Sequence, residues 1–133
     1  KQSKKIMKAV AQKPNMEYFA FRDNPLGLKA ATSLFSAANH GKFKELDLRG
    51  TKLGDREAAL LADFLVANKE LETLKIDNCG LSSKAVTDIA AALKAPKVSL
   101  RFLHIAYNPM GDDGAMAIAK AIITLPVDTA LSE

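Results

Sequence analysis

The sequence predicts an α/β fold of the solenoid kind: four strand-helix units in a row, short parallel strands on a concave face and helices on a convex face. Three observations predict it. A short apolar motif recurs at residues 16, 43, 71 and 100, and periods of a few tens of residues mark stacked-repeat architectures. Each motif is followed by a stretch with helical periodicity. The composition, 48% hydrophobic and 26% charged with 7 Gly and 5 Pro in 133 residues, is that of an ordinary globular chain and excludes disorder and collagen-like structure. The length suits one domain with a continuous core.

The four motifs share one pattern of apolar positions. They carry Met16, Phe19, Phe21, Asn24 and Leu26; Phe43, Leu46, Leu48, Thr51 and Leu53; Leu71, Leu74, Ile76, Cys79 and Leu81; and Leu100, Leu103, Ile105, Asn108 and Met110. The fourth and sixth positions alternate with polar ones, so they lie on one side of a short strand and point inward. The ninth, Asn24, Thr51, Cys79 or Asn108, falls where the chain turns away. An amide there can bond backbone of the bend and of the neighbouring unit. Thr51 and Cys79 offer fewer hydrogen bonds, so the two middle rungs of this ladder are expected to be weaker.

Apolar residues after each turn recur every three or four positions, the stripe of a helix with one buried side. They are Ala31, Leu34 and Ala38; Ala58, Leu61 and Leu65; Val86, Ile89 and Leu93; and Ala115, Ile118 and Ile122. Asp55, Ser82 and Asp112 precede three of these stripes and read as helix caps. Small Ala115 and Ala119 are expected to bring the last helix close to the strands. A first helix over Lys4 to Gln12 offers Ile6 and Val10, placed before Met16 much as Leu61 and Leu65 stand before Leu71. The expected organisation is thus one domain over 1–133, with the helix of a partial repeat at 1–15 and repeats at 16–42, 43–70, 71–99 and 100–123. Residues 124–133 do not restore the motif and read as a degenerate cap or tail. Such ends suit a piece of a longer array.

This pattern resembles the leucine-rich repeat, and the period with its helix is similar to the ribonuclease-inhibitor-like subclass. The resemblance covers residues 4–123. It implies a protein-binding platform, since repeats of this subclass are found in inhibitors, actin-filament cappers, innate immune sensors and bacterial effectors.

Strands stack at about 4.8 Å and helices need about 10 Å, so the array bends toward its strands. The outward positions of the motif then line the concave face. They include Tyr18, Arg22, Asp47, Arg49, Lys75, Asp77, Phe102, His104 and Tyr107, the candidate protein-binding residues. Aromatic side chains and arginine dominate binding at interfaces. Phe102 and Tyr107, placed side by side on the last strand, are expected to form a contact surface. The charged residues can equally pair with one another across strands.

Other chemistries find little support. The net charge of +4 comes from Lys1, Lys4, Lys5, Lys8 and Lys13, which have no acid among them; the rest of the chain holds 14 basic and 15 acidic residues. Nucleic acid would require basic residues gathered along a whole face. A membrane-surface role for the lysines competes with the need of Ile6 and Val10 for the core. His40 and His104 lie two units apart with no completing ligands, Cys79 lacks an activating base, and Asp112-Asp113 reads as helix-start chemistry. No phosphate-cradling G-x-x-x-x-G-K-[ST] loop occurs. No catalytic residue, metal or cofactor is therefore expected. A lone cysteine suits a reducing compartment, the cytoplasm, including a host cytoplasm for an effector. The leading expectation is a non-catalytic module that binds a protein. The alternatives are a GTPase activator resembling the Ran-activating proteins, for which Arg22 or Arg49 would serve, and a purely structural solenoid segment.

Overall fold

The chain was analysed as a computed structural model that describes residues 2–96, 98–122 and 130–132. Its elements are α1 (Gln2–Ala11), β1 (Tyr18–Ala20), α2 (Gly27–Leu34), β2 (Glu45–Asp47), α3 (Asp55–Ala67), β3 (Thr73–Lys75), α4 (Ser83–Leu93), β4 (Phe102–His104), α5 (Gly111–Ile122) and β5 (Ala130–Ser132). A 3-10 turn at Ala37–Asn39 links α2 to β2. The strands form one parallel sheet in chain order, and each helix packs mainly on the next. This is the α/β solenoid that the repeat implied.

Register follows the motif. Phe19, Leu46, Leu74, Leu103 and Leu131 are register partners along the sheet, and Leu46, Leu74 and Leu103 are fully buried. The sheet carries one strand more than the four motifs supplied. Its Leu131 keeps the repeat spacing from Leu103 and pairs with it in register. Parallel pairing needs little more than backbone groups. The remainder of the segment 124–133 lies outside the described residues.

Beyond the strands the backbone ladder continues for several residues. The N–H groups of Phe21, Leu48 and Ile76 donate to the carbonyls of Asp47, Lys75 and His104, each at 2.8 Å. The ninth-position side chains run the other way, from each unit to the one before. Thr51 Oγ1 donates to the Phe21 carbonyl at 2.5 Å, Cys79 Sγ to that of Leu48 at 3.1 Å and Asn108 Nδ2 to that of Ile76 at 2.9 Å. Asn108 also accepts from the N–H groups of Cys79 and Leu81 at 2.8 and 3.1 Å, so its rung holds more hydrogen bonds than that of Thr51. Asn24 departs from the ladder. It is exposed and donates to the carbonyl of its own Arg22.

Cys79 is completely buried. Burial pushes its thiol up to about 12, against smaller opposing effects of backbone hydrogen bonds. The thiolate is the nucleophile, so a thiol reagent is expected to label the native protein far more slowly than the unfolded chain. Equal rates would show the register to be wrong.

Several helix expectations need correction. The first helix spans Gln2–Ala11 and buries Met7 with Val10, leaving Ile6 at 42% exposure; the inward stripe uses a spacing of three where four was expected. Helix α2 ends at Leu34, so Ala38 is exposed while Phe35 and Asn39 are buried. Asn39 Nδ2 donates to the Leu34 carbonyl at 2.7 Å and so satisfies the end of that helix. In α5 the inward residues are Gly114, Ile118 and Ala121, and Ala115 and Ala119 face outward. A Cβ at Gly114 would lie 2.8 Å from the Met110 side chain and 3.5 Å from Ser83 Cα, so Gly114 is the point of close approach to the start of α4. Ser82 does cap α4, accepting from Ala85 N–H at 3.1 Å. Asp55 and Asp112 are instead in the first turns of their helices, where negative charge still suits the dipole.

Candidate protein-binding face

The strand face is built from rows, each holding the same motif position of successive units. The third-position row is Tyr18, Glu45, Thr73 and Phe102, and the fifth is Ala20, Asp47, Lys75 and His104, as the strand register shows. The seventh is Arg22, Arg49, Asp77 and Ala106, and the eighth is Asp23, Gly50, Asn78 and Tyr107.

Most of the charges on this face are engaged with one another. Arg49 Nε and Nη2 donate to the two Asp47 carboxylate oxygens at 3.0 and 2.8 Å, a bidentate pair. Arg22 Nε stands 3.9 Å from Asp47 Oδ2. Burial raises the Asp47 carboxyl, but the side chain and backbone N–H of Arg49, with the charge of Arg22, outweigh it and hold the group below the usual range. Asp47 is consequently buried, although the motif points it outward. Lys75 Nζ lies 3.3 Å from Glu45 of the adjacent strand. Asp77 Oδ1 accepts from the Ala106 N–H at 2.6 Å.

The aromatic residues are placed differently. Tyr18 is 67% exposed, Phe102 40% and Tyr107 83%, and His104 is half-buried. Phe102 is in β4 with the Arg101 guanidinium 5.8 Å from its ring centre. Tyr107 lies past the strand, in the turn. The two are therefore not side by side on the strand, one being in it and the other in the turn after it, and a fifth strand follows theirs. His40 is exposed and stands against the Phe64 ring at 5.6 Å.

The eighth-position row was not singled out by sequence reasoning. Asp23, Gly50, Asn78 and Tyr107 have φ of 59°, 78°, 54° and 60°, so all four are left-handed. This lets the N–H groups of Asp23, Gly50 and Asn78 turn to the carbonyls of Arg49, Asp77 and Ala106 at 3.0–3.1 Å. Gly, Asn and Asp tolerate this conformation, whereas for a bulky residue it is an outlier. The signal was present as the run of Asp, Gly and Asn at one motif position, which Tyr107 interrupts.

Known proteins share this pattern. The family model of the Leucine Rich repeat matches residues 98–119. Tonsoku-like protein of Mus musculus is 30% identical over 131 residues, covering 93% of this chain and 9% of that protein. NACHT, LRR and PYD domains-containing protein 12 of Mus musculus is 38% identical over 80 residues, 59% of this chain and 8% of its own. Ribonuclease inhibitor of Mus musculus is 32% identical over 87 residues, covering 65% and 19%. The chain thus spans less than a fifth of each of these relatives. Among solved structures, leiomodin-1 actin-binding site 2 superposes with a TM-score of 0.70 at 21% identity, over 92% of this chain and 72% of that one. That likeness shows the shared fold.

Proposed function

We propose that this chain, a leucine-rich repeat protein of the ribonuclease-inhibitor-like kind, is a non-catalytic module that holds a protein partner on its strand face and rims. One observation carries the reading: Tyr18, Phe102 and Tyr107 stand exposed on a face whose charged residues largely satisfy one another. Exposed aromatic residues are of the types enriched at interfaces, and charges already paired with one another do not need the partner to satisfy them. The GTPase-activating alternative would need an arginine free to reach a bound nucleotide. Arg49 is held in a bidentate pair and Arg22 faces the same carboxylate, which favours binding over catalysis. A reducing compartment such as the cytoplasm suits a chain whose one cysteine is buried and unpaired.

Once a partner is isolated, Phe102→Ala or Tyr107→Ala is expected to weaken its affinity at least about tenfold, roughly 1.4 kcal/mol. Lys84→Ala and Lys120→Ala, on the helical side, should leave it near the parent value. Calorimetric titration of the four variants checks this. Loss of binding in the helix-side variants, with both aromatic truncations silent, would move the interface to the convex face.

A further inference from the structure

The seventh-position row runs Arg22, Arg49, Asp77 and Ala106, and beside it stands Asp47 of the fifth-position row. Arg22 and Arg49 flank Asp47, each supplying a cation to it. Asp77 follows Arg49 in the row, and the next position after it is Ala106, which brings a methyl group and no cation. The Asp77 carboxylate is fixed at this spot by the Ala106 N–H at 2.6 Å. Its near neighbours of opposite charge are committed elsewhere: Lys75 pairs with Glu45 at 3.3 Å, and Arg49, which feels the Asp77 charge, donates its hydrogen bonds to Asp47. The residue directly after Ala106 is Tyr107, 83% exposed and held at a φ of 60°.

We infer that Asp77 and Tyr107 form a receptor for a cationic side chain, lysine or arginine, carried by the protein partner proposed above. The inference rests on that strand-face reading and adds the chemistry of what is recognised. A carboxylate supplies the Coulomb attraction. A tyrosine ring face attracts the same cation through its quadrupole, arginine best because it also stacks. Ala106, whose N–H holds Asp77 at 2.6 Å, directly precedes Tyr107, and this brings the carboxylate close to the base of the tyrosine. The left-handed backbone at Tyr107 makes the residue type informative, because the equivalent positions are filled by Asp23, Gly50 and Asn78, all of which adopt it at lower cost.

Hexa-arginine and hexa-lysine peptides serve as probes, titrated into the full chain while backbone amide NMR shifts are followed. Both are expected to move the amides of Asp77, Ala106 and Tyr107, hexa-arginine more strongly, and hexa-glutamate is expected to leave them in place. Tyr107→Phe should bind like the parent. Tyr107→Leu, which keeps a bulky side chain at the same backbone position, should weaken hexa-arginine roughly three- to fivefold, as should Asp77→Asn. A hexa-arginine footprint unchanged by Tyr107→Leu, a matching footprint from hexa-glutamate, or no footprint would each overturn the cation receptor and leave the strand-face platform standing. A footprint confined to the helices, as at Asp63 and Asp88, would defeat both.

Discussion

Leu74→Ala is expected to lower the unfolding free energy by about 2–5 kcal/mol, the range for deleting most of a buried leucine side chain. Leu74 is at the centre of the inward row, between Leu46 and Leu103, and is fully buried. Its loss leaves a void that two neighbouring units share. Because repeat arrays are held by nearest-neighbour contacts, that void weakens the third unit's hold on both neighbours. Denaturant unfolding at constant slope measures the loss. A change below about 1 kcal/mol would remove Leu74 from the core.

The second large effect is expected at Asn108. Its side chain donates to the carbonyls of Ile76, Ile105 and Ala106 at 2.9, 3.0 and 3.3 Å, and accepts from the N–H groups of Cys79 and Leu81. Asn108→Ala strands several polar groups together, and each buried group left without a partner costs about 1–3 kcal/mol. A total near 3 kcal/mol is expected on that basis, since part of the cluster is relieved by water. Thr51→Ala, which removes one donor from the same rung position, should cost about 1 kcal/mol. Equal losses for the two variants would contradict the hydrogen-bond count as the origin of rung strength.

Periodicity made much of this architecture legible. The spacing of Leu46, Leu74 and Leu103 contains the strand register, because parallel neighbours with the same inward position can align in only one way. The ninth-position ladder was equally open, since Asn, Thr and Cys share the ability to donate to a carbonyl. What the sequence concealed were matters of angle. Rotating a helix by one residue keeps a plausible apolar stripe, so Met7 could not be told from Ile6, nor Gly114 from Ala115. The end of α2 depended on Asn39 reaching back to a free carbonyl, a contact no periodicity records. On the strand face, Arg22, Asp47 and Arg49 were recognisable as outward and complementary. That two guanidinium groups would draw Asp47 out of solvent is a consequence of their geometry. The left-handed row was written plainly as Asp23, Gly50 and Asn78, but its meaning emerges only when four turns are superposed and Tyr107 is seen to share them.

The side-chain rungs of Thr51, Cys79 and Asn108 all reach back toward the amino terminus, each donating to a carbonyl of the unit before it. A polypeptide is synthesised from that same end. The backbone ladder runs the opposite way, since the N–H groups of Phe21, Leu48 and Ile76 donate to the unit that follows, so each seam is closed by bonds of both senses once its later unit has been made. Each added unit therefore completes the seam of the one before it, which suits folding unit by unit as the chain is made.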